Sequence, residues 1–237
     1  MFGKACAVKR LIMKTNSNKK KAIVLLSGGL DSAVSLYSAL SDGYQVSCLS
    51  FDYGQRHKKE IKSAQKIAIK AGCKWQLVKI SLPWKGSSLL DKTQKIPQHR
   101  KIDAEIPSTY VPARNIIFLS FAASFAESVN ASAIFIGANE IDYSGYPDCR
   151  QEFLDAFSLA LRKGTKAGTQ GLKTIICAPL VKKNKQQIVK LAVRLGVPLE
   201  LTWSCYRGGK KPCGTCDSCV LRAQGFAQAK VKDPAGC

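Results

Sequence analysis

The chain has 237 residues, 46% of them apolar and 22% charged, which is typical of a globular protein with a full hydrophobic core. No apolar run is long enough to cross a bilayer, which excludes a membrane-spanning helix. The formal net charge of +21 favours anionic partners such as nucleotides, but the basic residues are scattered, so we expect a solvated face and no stable nucleic-acid partner.

The N-terminal segment is basic, since the first thirty residues contain no acidic side chain. We expect residues 1–20 to be disordered, and Met13 is an alternative start because the sequence from there leads directly into the first apolar run. Nothing resembles a secretory signal peptide, and a chain of this length needs no disulfides to hold its core. The ten cysteines therefore indicate a reducing, cytoplasmic location.

From residue 22 onward, short β-branched runs alternate with helix-like segments. Five strands are predicted, at 22–26, 45–51, 75–80, 133–137 and 174–178. The predicted helices cover 32–40, 58–71, 114–129, 149–161 and 185–195. This alternation predicts an α/β fold: an open, mostly parallel, five-stranded Rossmann-like sheet with helices on both faces. The polar segment between residues 84 and 112 is too long for an ordinary connection, so we expect a lid, an insertion or a binding loop.

Polar, turn-forming residues follow each of the first four predicted strands. They lie at 27–29, 52–57, 81–83 and 137–140. Because ligands of open α/β sheets bind at the carboxyl ends of the strands, we expect these tails to face one shared cleft.

The first strand runs directly into the hexapeptide Ser27-Gly28-Gly29-Leu30-Asp31-Ser32. The glycines allow a tight turn and close approach to a ligand, and a helix N-terminus favours phosphate. Ser27 and Ser32 add hydroxyl donors, and Asp31 is a ligand for a magnesium ion that bridges phosphate oxygens. The loop lacks the GxxxxGK[ST] lysine and the GxGxxG spacing. It resembles SGGxDS, the pyrophosphate loop of the ATP pyrophosphatases.

A cysteine cluster near the C-terminus has the spacing C-x7-C-x2-C-x2-C. Its members are Cys205, Cys213, Cys216 and Cys219. Two-residue spacings let neighbouring thiolates converge on one ion, and four thiolates complete a tetrahedral zinc shell with no open position for water. We therefore predict one structural Zn²⁺ per chain. An iron–sulfur cluster is the alternative, because four cysteines also suit it.

Together, the loop and the cysteines belong to a wider resemblance. The chain is similar to the 7-cyano-7-deazaguanine synthases, the nitrile-forming ATP pyrophosphatases of queuosine-precursor biosynthesis. The matching segments follow the family's order, from about residue 22 to 226: SGGLDS at 27–32, FDYGQRH at 51–57, PSTYVPARN at 107–115, DYSGYPDCR at 142–150 and TWSC…CGTCDSC at 202–219. This resemblance implies an adenine nucleotide alpha hydrolase-like fold.

The resemblance also implies a reaction, in which 7-carboxy-7-deazaguanine, ammonia and ATP give 7-cyano-7-deazaguanine. A carboxylate is a poor acyl donor because oxide is a poor leaving group. Adenylation replaces oxide with AMP, and ammonia then gives the amide. A second adenylation, on the amide oxygen, permits elimination to the nitrile. The implied enzyme is a C–N bond-forming ligase with small-molecule partners, and we expect a homodimer.

Roles for site residues follow by residue type in the matched segments and, for ATP, in the residues that flank the loop. The predicted catalytic residues are Asp31, Ser32 and Arg114, with Asp31 on Mg²⁺ and Arg114 pairing with phosphate or the substrate carboxylate. The predicted ATP-binding residues are Leu26, Ser27, Gly28, Gly29, Leu30, Asp31, Ser32, Ala33, Val34, Ser35 and Leu36. The predicted substrate-binding residues are Arg56, His57, Arg114, Asn115, Asp142, Ser144, Tyr146, Asp148 and Arg150. In the 142–150 loop, a carboxylate is expected to accept hydrogen bonds from the guanine-like edge, and Tyr146 to stack on the ring.

The predicted organisation is a basic segment at 1–20, an ATP pyrophosphatase α/β domain at 21–200 and a cysteine-rich zinc-binding subdomain at 201–237. Two other functions stay open. One is a tRNA-modifying ATP pyrophosphatase of the lysidine synthetase or thiolation type, against which we recognise no appended RNA-binding domain and no obvious sulfur-carrying cysteine. The other is a zinc-bearing nucleotide sensor that binds ATP without turnover.

Overall fold

The computed structural model describes residues 19–98, 106–139 and 146–236. Within these ranges, no helix combines the length and the hydropathy needed to cross a membrane. The segment predicted to be disordered, 1–20, lies outside the described residues except for Lys19 and Lys20. Asp142 and Ser144 of the predicted substrate loop also lie outside them.

The described strands form one parallel sheet in the order β3-β2-β1-β4-β5. Their bounds are β1 Lys21–Leu25, β2 Gln45–Asp52, β3 Lys74–Lys79, β4 Ala133–Phe135 and β5 Ile175–Cys177. The predicted five-stranded parallel sheet is confirmed, with small shifts at the strand ends. The strand order reverses between β1 and β4, which is the position where open α/β sheets bind ligands.

Seven helices lie in the described ranges. They are α1 Leu30–Ser41, α2 Lys59–Lys70, α3 Arg114–Ser128, α4 Gln151–Gly164, α5 Lys166–Thr169, α6 Lys185–Arg194 and α7 Asp217–Ala229. The five predicted helices are confirmed, and α4 begins later than predicted because Pro147–Cys149 forms a separate 3₁₀ turn. The helices α5 and α7 were not predicted. In α7 the apolar and polar residues do not separate into two faces, so the sequence carries a weak helical period.

Both faces of the central strand are covered by apolar layers. Ala22 and Val24 of β1 pack on one side with residues of α1, α6 and α7, whereas Ile23 and Leu25 pack on the other with residues of α3 and α4. A parallel strand buried on both faces reads as a continuous apolar run, as β1 does. The two layers fix the carboxyl edge of the sheet, where the site is built.

The long segment after β3 is packed at both of its described ends. The Ser88 N–H donates to the Ser108 carbonyl at 2.7 Å, and Ser87 and Ser88 are buried. Leu89 enters the apolar layer under α3. The described parts of this segment therefore form a wall beside the carboxyl ends of the strands.

Candidate active site

The phosphate loop, Ser27–Ser32, lies between the end of β1 and the first turn of α1. Gly28 has φ +90°, and a Cβ there would lie 2.7 Å from the backbone N of Ala64, so α2 packs on the loop without room for a side chain. The Ser32 hydroxyl accepts hydrogen bonds from the N–H groups of Ser27 and Gly28, both at 3.2 Å, and donates to the Gly29 carbonyl at 3.0 Å. The buried Ser32 hydroxyl therefore stabilises the turn.

The N-terminus of α1 is placed against the end of β4. A Cβ at Gly137 would lie 2.8 Å from the backbone N of Ser32, so only glycine fits between β4 and the first turn of α1. Gly29 is the N-cap and provides no capping side chain. A helix start of this kind is suited to an anion, because its first N–H groups and its dipole favour negative charge.

Asp31, in the first turn of α1, pairs with a lysine from far along the chain. Lys185 Nζ lies 3.1 and 2.9 Å from the two carboxylate oxygens, and the Lys185 side chain is only 8% exposed. Lys185 is the first residue of α6, whose start is fixed by a capping box between Asn184 and Gln187. A Cβ at Gly225 would lie 2.9 Å from Lys185 Cβ, so α7 covers the stem of the lysine.

Arg114 forms the opposite wall of the site. It begins α3 directly after the left-handed residue Ala113, which has φ 54°. Its Nη1 donates to the Tyr53 hydroxyl at 3.3 Å, and its guanidinium carbon lies 5.9 Å from the Tyr53 ring centroid. Burial alone would lower the pKa of Arg114, but the effects of Tyr53, Tyr146 and Asp148 are larger together, so the pKa lies above its ordinary value. Arg114 is therefore a permanent cation.

Glu60 adds a carboxyl group that the sequence analysis did not single out. It lies in the first turn of α2 and lines the same site. Burial raises the pKa of Glu60 to about 7, while the charge of Arg114 opposes this rise and Cys205 adds to it. A group with a pKa near neutral can exchange a proton with a reacting molecule.

In the described part of the predicted substrate loop, Tyr146, Asp148 and Arg150 have different surroundings. Tyr146 lines the site. The Asp148 carboxylate instead accepts the Asn115 N–H at 3.0 Å in the first turn of α3, and the Asn115 amide donates to the Asp148 carbonyl at 3.3 Å. Burial raises the pKa of Asp148. Arg150 Nη1 lies 3.7 Å from a carboxylate oxygen of Glu152, on the surface.

Two further predicted substrate residues lie behind the site. Arg56 Nε donates to the Ser88 carbonyl at 2.6 Å, and its Nη2 donates to the Asp91 carbonyl at 2.8 Å. His57 packs so closely on Gly208 that a side chain at Gly208 would clash with the imidazole, and burial lowers the pKa of His57. In the structure Arg56 supports the wall after β3 and His57 supports the cysteine-rich segment.

Together these groups surround a cleft of about 240 Å³ at the carboxyl ends of β1, β2 and β4. The predicted site residues that line it are Leu26, Ser27, Gly29, Leu30, Asp31, Ser32, Arg114, Asn115 and Tyr146. The described predicted residues outside its lining are Gly28, Ala33, Val34, Ser35, Leu36, Arg56, His57, Asp148 and Arg150. The expected shared cleft is present for the first, second and fourth strand ends, and the tail of β3 does not line it.

The four cysteines predicted to bind metal converge on one point. Each Sγ lies within 4.8 Å of the others, and a tetrahedral shell with Zn–S bonds of about 2.3 Å requires sulfur separations of about 3.8 Å. The N–H groups of Arg207 and Cys213 donate to Cys205 Sγ at 3.4 and 3.3 Å, and that of Cys216 donates to Cys213 Sγ at 3.4 Å. Such bonds orient coordinating atoms. The donors fit a closed tetrathiolate metal site.

The cysteine-rich segment also touches the phosphate loop. The Trp203 N–H donates to the Gly28 carbonyl at 2.9 Å. Lys59 Nζ lies 4.2 Å from the Trp203 ring centroid and donates to the carbonyls of Gly209 and Lys210. The cysteine-rich segment is therefore joined to the phosphate loop by a main-chain hydrogen bond, and to α2, the helix that packs on Gly28, by Lys59.

Among the residues that build this site, Glu60, Lys185 and Trp203 were not predicted from the sequence. Glu60 lies three residues after a matched segment, and Lys185 directly follows the Asn184 N-cap. Both residues therefore lie at a helix start that follows a strand, which the sequence pattern indicates. That signal does not distinguish a functional side chain from a surface one. Trp203 lies within the matched TWSC segment but was not separated from its neighbours.

Comparison with known proteins agrees with this geometry. A family model described as queuosine biosynthesis protein QueC matches residues 21–230. The 7-cyano-7-deazaguanine synthase of Acetivibrio thermocellus is 52% identical over 215 residues, which are 90% of this chain and 96% of that protein. The synthase of Desulfitobacterium hafniense is 52% identical over 216 residues, covering 91% and 92%. That of Thermoplasma acidophilum is 51% identical over 219 residues, 91% of each.

Proposed function

The chain belongs to the QueC family of queuosine biosynthesis proteins, and on that premise we propose how its cleft carries out the family's reaction. Its function is the synthesis of 7-cyano-7-deazaguanine. We infer that the substrates are 7-carboxy-7-deazaguanine, ammonia and ATP, which makes the enzyme a ligase that forms C–N bonds. The observation that carries this inference is the phosphate loop, which opens at the switch point of the sheet onto a cleft that also contains Arg114.

The proposed reaction passes through two adenylations. A carboxylate oxygen attacks the α-phosphate of ATP, the bond to the bridging oxygen breaks, and pyrophosphate leaves with its electron pair. Ammonia then adds to the acyl carbon, loses a proton and displaces AMP to give the amide. After a second adenylation on the amide oxygen, loss of the N–H protons and of AMP gives the nitrile.

On the ATP side, the proposed contacts come from the phosphate loop. The predicted ATP-binding residues that line the cleft, from Leu26 to Ser32, surround the N-terminus of α1, where phosphate is favoured. Asp31 lines the cleft, and both of its carboxylate oxygens accept from Lys185 Nζ in the structure. Carboxylate oxygen is a donor type that Mg²⁺ accepts from proteins. Magnesium bound with ATP would neutralise phosphate charge. Gly28 and residues 33–36 act as the packed support of this surface.

On the substrate side, we propose that Arg114 binds the carboxylate or the α-phosphate, as a buried permanent cation. Tyr146 offers a ring to the deazaguanine, and Glu60 accepts the proton that ammonia loses on addition. Asn115 and Asp148 position the start of α3 through their mutual hydrogen bonds. Substrate roles for Arg56, His57, Asp142, Ser144 and Arg150 stay predictions.

The metal at the cysteine cluster is proposed to be one structural Zn²⁺ per chain. Four thiolates leave no coordination position for water, so the ion would stabilise the fold of the segment rather than activate a substrate. The division of the chain into an α/β domain at 21–200 and a cysteine-rich subdomain at 201–237 belongs to the same proposal. It is supported by the position of all four ligands after residue 204.

One incubation tests the function. The purified full chain receives ATP, magnesium, ammonia and 7-carboxy-7-deazaguanine, and the products are identified by mass. We expect AMP, pyrophosphate and the nitrile, with the amide as an intermediate. AMP release that requires tRNA would instead identify a tRNA-modifying ATP pyrophosphatase, and no AMP under either condition would identify a nucleotide sensor. The same reaction without tRNA tests the proposal that no stable nucleic-acid partner is needed.

We also propose that the chain acts as a homodimer. Helix α3 carries apolar residues on its outer side as well as on its buried side, since Ile116 and Phe121 are each 41% exposed. A helix with apolar residues on both sides is normally buried, which supports a second copy packed on this face. Sedimentation equilibrium of the full chain should give twice the chain mass, and Phe121→Glu should give the monomer.

We propose that the protein is located in the cytoplasm. Cys48, Cys73, Cys149 and Cys177 all carry free thiols in the structure. Free thiols and a tetrathiolate site are both kept in a reducing compartment. Fractionation of cells that express the tagged chain tests the location.

A further inference from the structure

The pair formed by Asp31 and Lys185 is not explained by the ATP site as proposed so far. A lysine that is 8% exposed is fixed in front of the one carboxylate of the phosphate loop. Burying an ammonium costs free energy unless it is paired. A structural ion pair could lie anywhere in the core, whereas both members of this pair line the cleft.

The surroundings of Lys185 restrict where its ammonium can move. Its backbone is fixed at the first position of α6 by the capping box, and its stem lies against Gly225 of α7. The pairing with Asp31 places the ammonium beside the first turn of α1. A short movement of Nζ about this fixed stem therefore keeps it at the phosphate loop.

The charges of the cleft also single out Lys185. Among the described residues that line the cleft, the cations are Arg114, Lys185 and Arg222. The Arg222 guanidinium is bound by the Asp233 carboxylate at 2.7 and 2.9 Å, and Arg114 lies against Tyr53 on the opposite wall. Lys185 is thus the cation that the structure places at the phosphate loop itself.

Resting on the proposed function, we propose that Lys185 is a catalytic residue that transfers its ammonium contact from Asp31 to the departing pyrophosphate. When the bond from the α-phosphorus to the bridging oxygen breaks, that oxygen keeps the electron pair and gains negative charge. An ammonium at the loop stabilises this charge. Asp31 holds Lys185 in place beforehand, and its oxygens become available to the magnesium of the nucleotide once the ammonium moves.

The first test measures binding rather than turnover. Inorganic pyrophosphate with magnesium, and AMP separately, are titrated into the full-length, metal-loaded protein by calorimetry. Lys185→Gln keeps an N–H donor for Asp31 but removes the charge, and we expect it to weaken pyrophosphate binding about 30-fold while AMP binding changes less than about twofold. Lys190→Gln, on the exposed side of the same helix, is the matched control and should bind both as the wild type does.

A second variant distinguishes direct contact from positioning. If Lys185 acted only by holding Asp31, adding Lys185→Gln to Asp31→Asn would cause no further loss of pyrophosphate binding. We expect a further loss of about tenfold, because the ammonium itself contacts the pyrophosphate. The double variant also contains no unpaired buried charge, so it keeps the test valid if Lys185→Gln alone does not fold. Equal pyrophosphate binding by Asp31→Asn and the double variant would overturn the inference.

Isotope exchange separates this inference from the proposed function. Labelled pyrophosphate should enter ATP in the presence of 7-carboxy-7-deazaguanine, and Lys185→Gln should slow this exchange about 100-fold, with partial recovery in Lys185→Arg. If the wild type shows no exchange with this substrate, the proposed function fails. If the wild type exchanges and Lys185→Gln exchanges equally fast, only the role of Lys185 fails.

Discussion

The phosphate loop and the cysteine cluster are both short motifs visible in the sequence, yet different forces hold them. The loop is stabilised by its own backbone: Ser32 bonds to Ser27, Gly28 and Gly29, and α2 packs on Gly28. The cluster brings four thiols within 4.8 Å of one another, which is unfavourable for thiolates unless a cation binds them. The loop is thus preorganised by packing, whereas the cluster would be held together by the metal that we propose.

The two regions nevertheless meet at Gly28, whose carbonyl accepts the Trp203 N–H. Damage to the cluster should therefore reach the loop, because Trp203 lies two residues before the first thiol ligand, Cys205. Damage to the loop should affect the cluster less, because the N–H groups that orient Cys205 and Cys213 come from the cysteine-rich segment itself. Variants that break one region at a time test this asymmetry.

The largest effect is expected from Cys216→Ser, which removes a fully buried ligand. The variant should lose the metal and at least about 3 kcal/mol of unfolding free energy, because metal binding and folding of such segments are coupled. Metal analysis and denaturant unfolding measure the two losses. ATP turnover should fall as well.

Cys177→Ser in β5 is the control, a half-buried cysteine outside the cluster, and it should keep the metal. The wild-type protein should contain zinc. A coloured, iron-containing protein would refute the structural-zinc assignment. Full activity in metal-free Cys216→Ser would show that the cluster does not support the loop.

Gly28→Ala disrupts the phosphate loop while it leaves the cysteine cluster unchanged in sequence. The new Cβ would lie 2.7 Å from the Ala64 N at a backbone φ of +90°, so steric and backbone strain add. We expect a loss of about 3 kcal/mol in unfolding free energy and of ATP turnover, with zinc content unchanged. Gly43→Ala is a matched control, since Gly43 has φ +82° but open space around its Cβ position. It should lose about 1 kcal/mol only. Zinc loss in Gly28→Ala would contradict the asymmetry.

Sequence and structure agree where a local pattern determines the outcome. The parallel sheet follows from alternating β-branched and helical runs, and the loop and the cysteine cluster follow from glycine and cysteine spacing. The contacts of Lys185 and Glu60 could not be predicted, because each depends on a partner brought close only by the fold, as Asp31 is to Lys185 across 154 positions. Asp148 matched a functional segment, but its carboxylate binds the Asn115 N–H at the start of α3.

The charges of Arg114 and Cys205 both act on the Glu60 carboxyl, and its pKa gives the next prediction. Burial raises its pKa from 4.5 to about 7, so the folded protein binds a proton between these values that the unfolded chain has released. Folding therefore takes up a proton, and the unfolding free energy should decrease as the pH rises from about 5 to about 7. We expect Glu60→Gln to reduce this decrease by about 2 kcal/mol.

Denaturant unfolding of the metal-loaded protein at pH 5.5 and pH 8 measures this pH dependence. Glu152→Gln is the control, because its carboxylate is 79% exposed and should leave the pH dependence as in the wild type. An identical slope in Glu60→Gln and in the wild type would assign the titration to another group.

The smallest effect is expected from Lys59→Met, which removes the side-chain contact between α2 and the cysteine-rich segment. Lys59 Nζ lies 4.2 Å from the Trp203 ring centroid and donates to the carbonyls of Gly209 and Lys210, while the Trp203 N–H to Gly28 bond involves only the main chain. The variant should lose about 1 kcal/mol and keep its zinc, since no ligand is touched. Lys62→Met, exposed on the same helix, should lose less than about 0.5 kcal/mol. Stability and turnover are measured on both variants. A loss of turnover in Lys59→Met with unchanged zinc would mean that α2, through Lys59, transmits the support of the cluster to the loop in addition to the main-chain bond.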